Sequence, residues 1–200
     1  MNRVSDLNSS AAARGNVAET PDPGEDGQRT GGVWAITAED ERAQWTFVPL
    51  ASVGPLRFGM DPGEVTAVLG GARVSHYITG SCVSLNHVGV TTYYDHTGRL
   101  ACVAIDALRG PQVTYADISL VGRVPSEVER WFLAQAEVGE LDVMYSQMAD
   151  PSSESLGIVV RAQRAGDVVL TRPVFVGTAW AERVGDTSEG FIPRTEWETW

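Results

Sequence analysis

The sequence predicts an α+β fold in which two similar units follow one another, their antiparallel strands joined in one sheet with short helices covering one face. Three observations predict it. From Gln44 onward the chain consists mostly of short runs rich in β-formers, separated by turn residues and interrupted by two helical patterns. Those helical patterns match each other: "FGMDPGEVTAV" lies over "VGRVPSEVERW", with Gly59, Pro62, Glu64 and Val65 above Gly122, Pro125, Glu127 and Val128, at an offset of 63. Downstream, "GVTTYYDHTGRLACV" lies over "GIVVRAQRAGDVVLT", with Gly89 above Gly157 and Gly98 above Gly166, at an offset of 68. A longer loop near "QMADPSSESL" accounts for the difference, so a unit of about 65 residues is expected twice, over 44–110 and 111–176.

The elements follow in order. Residues 1–43 are rich in Ser, Asn, Gly, Pro and acid without an apolar period, and are expected to be a disordered N-terminal segment. In the first unit a strand in "GPLRFGM" leads into a short helix. Asp61 is its N-cap, Pro62 fits the first turn where no N–H is needed, and Glu64 stands three residues on in a capping-box relation. Val65, Val68 and Leu69 fall on one face of that helix and Gly70 ends it. These glycines serve turns and caps. A phosphate-binding P-loop needs a lysine, and all fifteen basic residues are arginine.

Three β-rich runs come next, the last two forming a hairpin. Asp95 can accept from the turn amides and Gly98 supplies a left-handed residue, which sets Tyr94 opposite Leu100 and Thr92 opposite Cys102. The second unit repeats the plan, from a strand in "YADISLVG", but Arg123 and Val124 stand where Met60 and Asp61 stand in the first. Val124 has no side-chain acceptor for a cap. Residues 177–200 form a C-terminal tail rich in aromatics.

Composition narrows the function classes. Two hundred residues with 43% apolar content suffice for a proper core, and a net charge of −11 removes the domain-wide basic footprint that nucleic-acid binding needs. No apolar run reaches the roughly 20 residues of a membrane span and no signal peptide is legible at Met1, so a cytoplasmic protein without membrane contact is expected. Cys82 and Cys102 read as reduced core thiols, too few for a disulfide framework or a zinc site. His76, His87 and His96 stand in no catalytic or metal-binding motif, so no catalytic residue, metal or cofactor is assigned.

The stretch "GMDPGEVTAVLG" resembles the helix entry of small bacterial α+β modules: the outer-membrane assembly lipoprotein BamE and its relatives, the tandemly repeated β-lactamase inhibitory proteins, and immunity proteins of bacterial toxin systems. The resemblance implies a protein-binding role, with two sheets side by side offering a broad surface. Its lipoprotein branch would require a longer N-terminus carrying a signal peptide and a lipid-accepting cysteine.

Two clusters are candidates for the partner surface. Glu127, Glu129, Glu137, Glu140 and Asp142 gather around the second helix, either as a solvated face or as an acidic patch for a basic partner. Charge favours the patch: residues 44–110 hold four acids and four arginines, whereas 111–176 hold nine acids and five arginines. Trp180, Trp197 and Trp200, with Phe191, are either packed on the sheet or an exposed anchor of the hot-spot type. The expectation is a non-enzymatic protein-binding module of the immunity or inhibitory type, with Glu127, Glu129, Glu140, Trp180 and Trp197 meeting the partner. The alternative is a structural or assembly module related to the outer-membrane lipoproteins.

Overall fold

A computed structural model describes residues 34–70, 76–79, 82–85, 88–188 and 190–199. Its first half runs through strands β1 (Gln44–Val48), β2 (Ser52–Val53) and β3 (Leu56–Arg57), helix α1 (Pro62–Val68), and strands β4 (His76–Thr79), β5 (Cys82–Leu85), β6 (Val90–Tyr94) and β7 (Leu100–Ile105). The second half runs through β8 (Gln112–Tyr115), β9 (Ile118–Ser119), α2 (Pro125–Glu137), β10 (Met144–Tyr145), β11 (Pro151–Ser153), β12 (Ile158–Ala165) and β13 (Val168–Val176). Two single-turn helices, α3 (Thr178–Ala181) and α4 (Arg194–Trp197), close the chain. Four strands therefore follow each of the two longer helices, one more than the sequence pattern suggested.

Eight antiparallel strands form the main sheet in the order β10-β11-β12-β13-β7-β6-β5-β4. Each half contributes a consecutive four-strand meander, and the two meet where β13 pairs with β7 through Val174 and Ala104, Phe175 and Val103, and Val176 and Cys102. All six residues of β7 and the last six of β13 are buried, and β7 accordingly reads as a continuous apolar run, while β13 carries Thr171 and Arg172 among its buried residues. The expectation of a single sheet is corrected by a second one, of five strands in the order β3-β2-β1-β8-β9. In it β1 runs parallel to β8, with Gln44, Trp45 and Thr46 beside Gln112, Val113 and Thr114.

Because side chains alternate across a strand, the main sheet has two cores. On one face Val103, Ile105, Ile158 and Phe175 pack with Val65 of α1, Val128 and Phe132 of α2, and Phe47 and Val113 of the smaller sheet. On the other, Tyr93, Cys102, Ala104, Val159, Val174 and Val176 pack with Trp180, Ala181, Val184, Ile192 and Trp197. Helices thus cover both faces, not one, because the C-terminal residues fold back over the face that the sequence left open.

Local chemistry explains the element ends. The Asp61 carboxylate accepts from the amides of Gly63 and Glu64 at 2.9 Å each, while the Asp61 amide donates to Glu64 at 2.9 Å, so the capping box is complete. Only Val65 and part of Leu69 face the core from α1; Val68 is 44% exposed, contrary to the expected stripe. Asp95 accepts from the amides of Thr97 and Arg99 at 2.8 and 3.0 Å, and Gly98 takes φ +76° at the β6–β7 turn, as Gly166 takes +63° at the β12–β13 turn. Tyr94 lies opposite Leu100, but Cys102 faces Tyr93 and Val103 faces Thr92. Ala101 is an extra residue on β7. This bulge arises because the start of β7 has other partners: Leu100 exchanges bonds with Gly59 and Met60 at 2.8 Å, and the Ala101 carbonyl accepts from Gly177 at 2.9 Å.

The expected disordered segment, 1–43, lies outside the described residues as far as residue 33. Residues 34–43 are ordered against the body, a correction with a specific cause. Arg42 is buried, and its guanidinium donates to the carbonyls of Thr37, Gly110, Ala107 and Leu108 at 2.8 to 3.1 Å. A polar composition conceals such an anchor, since one guanidinium carries five donors.

Helix α2 begins at Val124, which is extended (φ −66°, ψ 124°), offers no side-chain cap and is 50% exposed. Glu127 already stands at the third helical position. Val124→Asp should therefore complete a capping box and raise stability by about 0.5–2 kcal/mol. Thermal unfolding checks it; a lowered midpoint would show that the exposed Val124 side chain contributes more than a cap.

Candidate functional site

The surface around α2 and β10 is assembled from residues that the two elements cannot bury. Pro125 opens the helix, Val128 and Phe132 face the core four residues apart, and Trp131 lies edge-on to Tyr115 at 6.0 Å. The remaining positions turn outward. Glu127, Glu137 and Glu140 are exposed, with Glu127 3.6 Å from Arg123 in an i,i+4 spacing reversed end for end. The Glu140 amide donates to the Gln135 carbonyl at 3.0 Å, continuing the chain past the helix end.

Glu129 is half-buried and accepts the phenol proton of Tyr145, on edge strand β10, at 2.8 Å. That bond to the carboxylate, with some burial and its negative charge, holds the Tyr145 phenol above the usual tyrosine range. The contact fixes β10 beside the helix. Exposed Leu133 stands one turn from Glu129 and from Glu137 on α2, exposed Val138 follows at the helix end, and exposed Met144 lies beside Tyr145 on β10. Sequence reading missed these apolar members; "VMYSQM" held the signal, a short run too interrupted to be a central strand.

Asp142 has a different task. Its carboxylate accepts from the Ser153 hydroxyl at 2.7 Å, the Glu154 amide at 2.8 Å, the Ser155 amide at 3.2 Å and the Ser155 hydroxyl. It staples the β11–β12 loop. Partial burial, the largest single influence, pushes the carboxyl up, but the bonds from Ser155, Ser153 and Glu154 together outweigh it and hold Asp142 below the ordinary aspartate value.

Burial also sharpens the charge contrast. Of the nine acids and five arginines in 111–176, Asp150, Arg161 and Arg172 are buried, which leaves eight acids and three arginines toward solvent. Those buried charges lie on the outer face of the main sheet. Arg172 donates to both oxygens of Glu196, from Nε at 2.7 Å and Nη2 at 3.0 Å, and the Tyr93 hydroxyl donates to the same carboxylate at 2.5 Å. Arg161 donates to the main-chain carbonyls of Glu196 and, at 2.9 Å, Trp197, and lies 5.1 Å from the Trp197 ring centre and 3.7 Å from Asp150. Burial pushes Arg172 down, yet the Glu196 charge and hydrogen bonds hold it above the ordinary arginine range. Burial pushes the Asp150 carboxyl up, and Arg161 offsets only part of that.

Trp180 and Trp197, expected as possible anchors, are 9% and 2% exposed. Both are packed on the sheet, because the outer face of β7, β12 and β13 supplies an apolar bed for them; this corrects the anchor reading. Trp180 stacks on Phe191 at 5.7 Å, and only Phe191 shows much surface. Trp200 and His87 lie outside the described residues, His76 stands in β4, and His96 is exposed at the β6–β7 turn. Among the described residues no three His, Cys, Asp or Glu side chains converge as a metal site, and no helix is long and apolar enough to cross a membrane. No protein-family model, curated protein or solved structure matches the chain.

Because its folded pKa is lowered, Asp142 contributes stability that is present above its unfolded value near 3.8 and is lost as pH falls through the lower folded value. Asp142→Asn should therefore flatten the acid limb of the stability curve and lower the midpoint at neutral pH. Urea unfolding of both chains between about pH 2 and 7 checks it; parallel curves would reduce Asp142 to a solvated side chain.

Proposed function

We propose that the chain is a non-enzymatic protein-binding module of the immunity or inhibitory type, made of two tandem copies of one unit, and that it holds a basic partner protein against the α2–β10 surface. The observation that carries this reading is the coincidence of two features in one place. The exposed acids Glu127, Glu137 and Glu140, with Glu129, share α2 and its end with exposed Leu133, and the bond from Tyr145 to Glu129 brings exposed Tyr145 and Met144 of β10 beside them. Methionine and tyrosine are enriched in the cores of protein interfaces, where they supply contact area, while charges at the rim steer the encounter.

The tandem reading is supported by equivalent positions. Pro62 and Pro125 open α1 and α2 at the offset of 63, and Gly98 and Gly166 turn the last hairpin of each half at the offset of 68. On this reading the first copy has kept its acids for structure: Asp61 and Glu64 cap α1 and Asp95 closes a turn. The second copy carries the surplus negative charge at its surface.

Each exposed ion pair with the partner would add only about 0–1 kcal/mol, but a complementary field raises the association rate and fades as salt shortens the Debye length to about 8 Å at 0.15 M. Combined Glu127→Lys and Glu140→Lys should slow association with a basic partner several-fold and flatten its salt dependence, with dissociation little changed. Stopped-flow binding at low and high salt reads both rates. An association rate indifferent to salt and to the reversals would overturn the reading.

A further inference from the structure

The outer face of the main sheet carries an arrangement that a sheet cannot tolerate by itself. Arg161 on β12 and Arg172 on β13 are directly opposite in register, and both are almost fully buried. Like charges facing each other across a strand pair repel, and removal from water strengthens the repulsion. Asp150, 3.7 Å from Arg161, and Asp106, 3.8 Å from Arg172, offset part of that repulsion, and one further anion is laid on the face. The anion is the Glu196 carboxylate, gripped by Arg172 through two parallel bonds and by the Tyr93 hydroxyl. Such a fork is selective for a carboxylate in one orientation. The next residue is read as well, since the Arg161 guanidinium lies against the Trp197 indole and donates to the carbonyls of residues 196 and 197.

The segment that satisfies this face is short. Helix α4 is a single turn of four residues, far below the length at which a helix holds itself. An open cavity of about 500 Å³ lined by Met148, Ser188 and Trp197 adjoins it, and another of about 520 Å³, lined by Tyr94, His96 and Phe191, adjoins the chain just before it. The Trp197 indole N–H is buried with no hydrogen-bond partner among the described residues. The segment is therefore held by polar contacts at two residues and by Ile192 and Trp197 packed in the outer core, while its backbone makes only one helical turn.

We propose that this face is a peptide-recognition site for a segment in which glutamate is followed directly by tryptophan within one helical turn. The chain's own residues 191–199 occupy it in cis, and a partner segment of the same chemistry displaces them. The inference is independent of the α2–β10 surface, which lies on other residues.

The probe is a fluorescein-labelled synthetic peptide with the sequence of residues 191–199, added to the full-length chain and to full-length Glu196→Gln. Loss of the charged acceptor weakens the cis contact, so the variant should bind the probe at least about ten-fold more tightly than the parent, and a probe carrying glutamine for its glutamate should lose about the same factor. Equal binding by parent and variant, or indifference to the probe's glutamate, overturns the proposal. Should Glu196→Gln fail to fold, hydrogen exchange of the unmodified chain decides. Amides of 194–199 should exchange at least about ten-fold faster than those of β12 and β13, because the segment opens without the sheet. Equal protection would make the segment ordinary core and overturn the proposal.

Discussion

The pairing of β7 with β13 is the contact on which the rest of the molecule depends. Each half brings a four-strand meander whose last strand is buried on both faces where the two meet, and such a strand cannot end a sheet. Joining the two last strands buries both at once and creates the two faces that everything else covers. The inner face receives α1, α2 and the smaller sheet; the outer receives the C-terminal residues. The bulge at Ala101 belongs to the same joint, because its carbonyl is taken by Gly177 as the chain leaves β13. The joint therefore also directs the C-terminal residues across the outer face.

That outer face is held by charge as much as by apolar contact. A buried ion pair is weak evidence of stabilisation, since taking both ions out of water costs several kcal/mol each, but removing one partner is costly, about 3–5 kcal/mol, because the other is left uncompensated. Arg161, Arg172, Asp150 and Glu196 accordingly fix geometry more than they add stability. Asp106 extends the set, 3.8 Å from Arg172 and bonded to Gln163 at 2.8 Å, and Gln163 in turn accepts from the Ala107 amide at 3.0 Å. The consequence is a single register for the C-terminal turn, with Glu196 over Arg172 and Trp197 under Arg161.

Much of the local structure was legible in the sequence because its causes are local. Asp61, Pro62 and Glu64 specify a helix start within four residues, and Asp95 with Gly98 specifies a turn within four. What escaped depends on distant partners. The slip from Thr92 to Tyr93 opposite Cys102 follows from bonds to Gly59, Met60 and Gly177, none of which a hairpin pattern contains. Arg42 looked like linker because its acceptors, around residues 107–110, lie some sixty-five residues away. The candidate site divides in the same way: its acids were visible as a count, while Met144 and Tyr145 entered only when Glu129 pinned β10 beside α2. The polar face that Arg161 and Gln163 give a buried strand in "VVRAQRA" went unread.

The parallel pairing of β1 with β8 bears on how the chain folds. Gln44 meets Gln112 and Trp45 meets Val113, while Cys102 meets Val176, so both sheets are completed only by contacts between residues about seventy apart. Neither meander alone has a partner for its inner strand, and β1 alone lacks one side of its ladder. Formation of the hairpins is fast and local, but the two closing steps each bring the ends of a long loop together before burial can reward them. Both pairings therefore carry the loop-closure cost that slows folding. Until both occur, the apolar edges of β7 and β13 are open to the wrong neighbour, which makes dilution and slow synthesis favourable to this architecture.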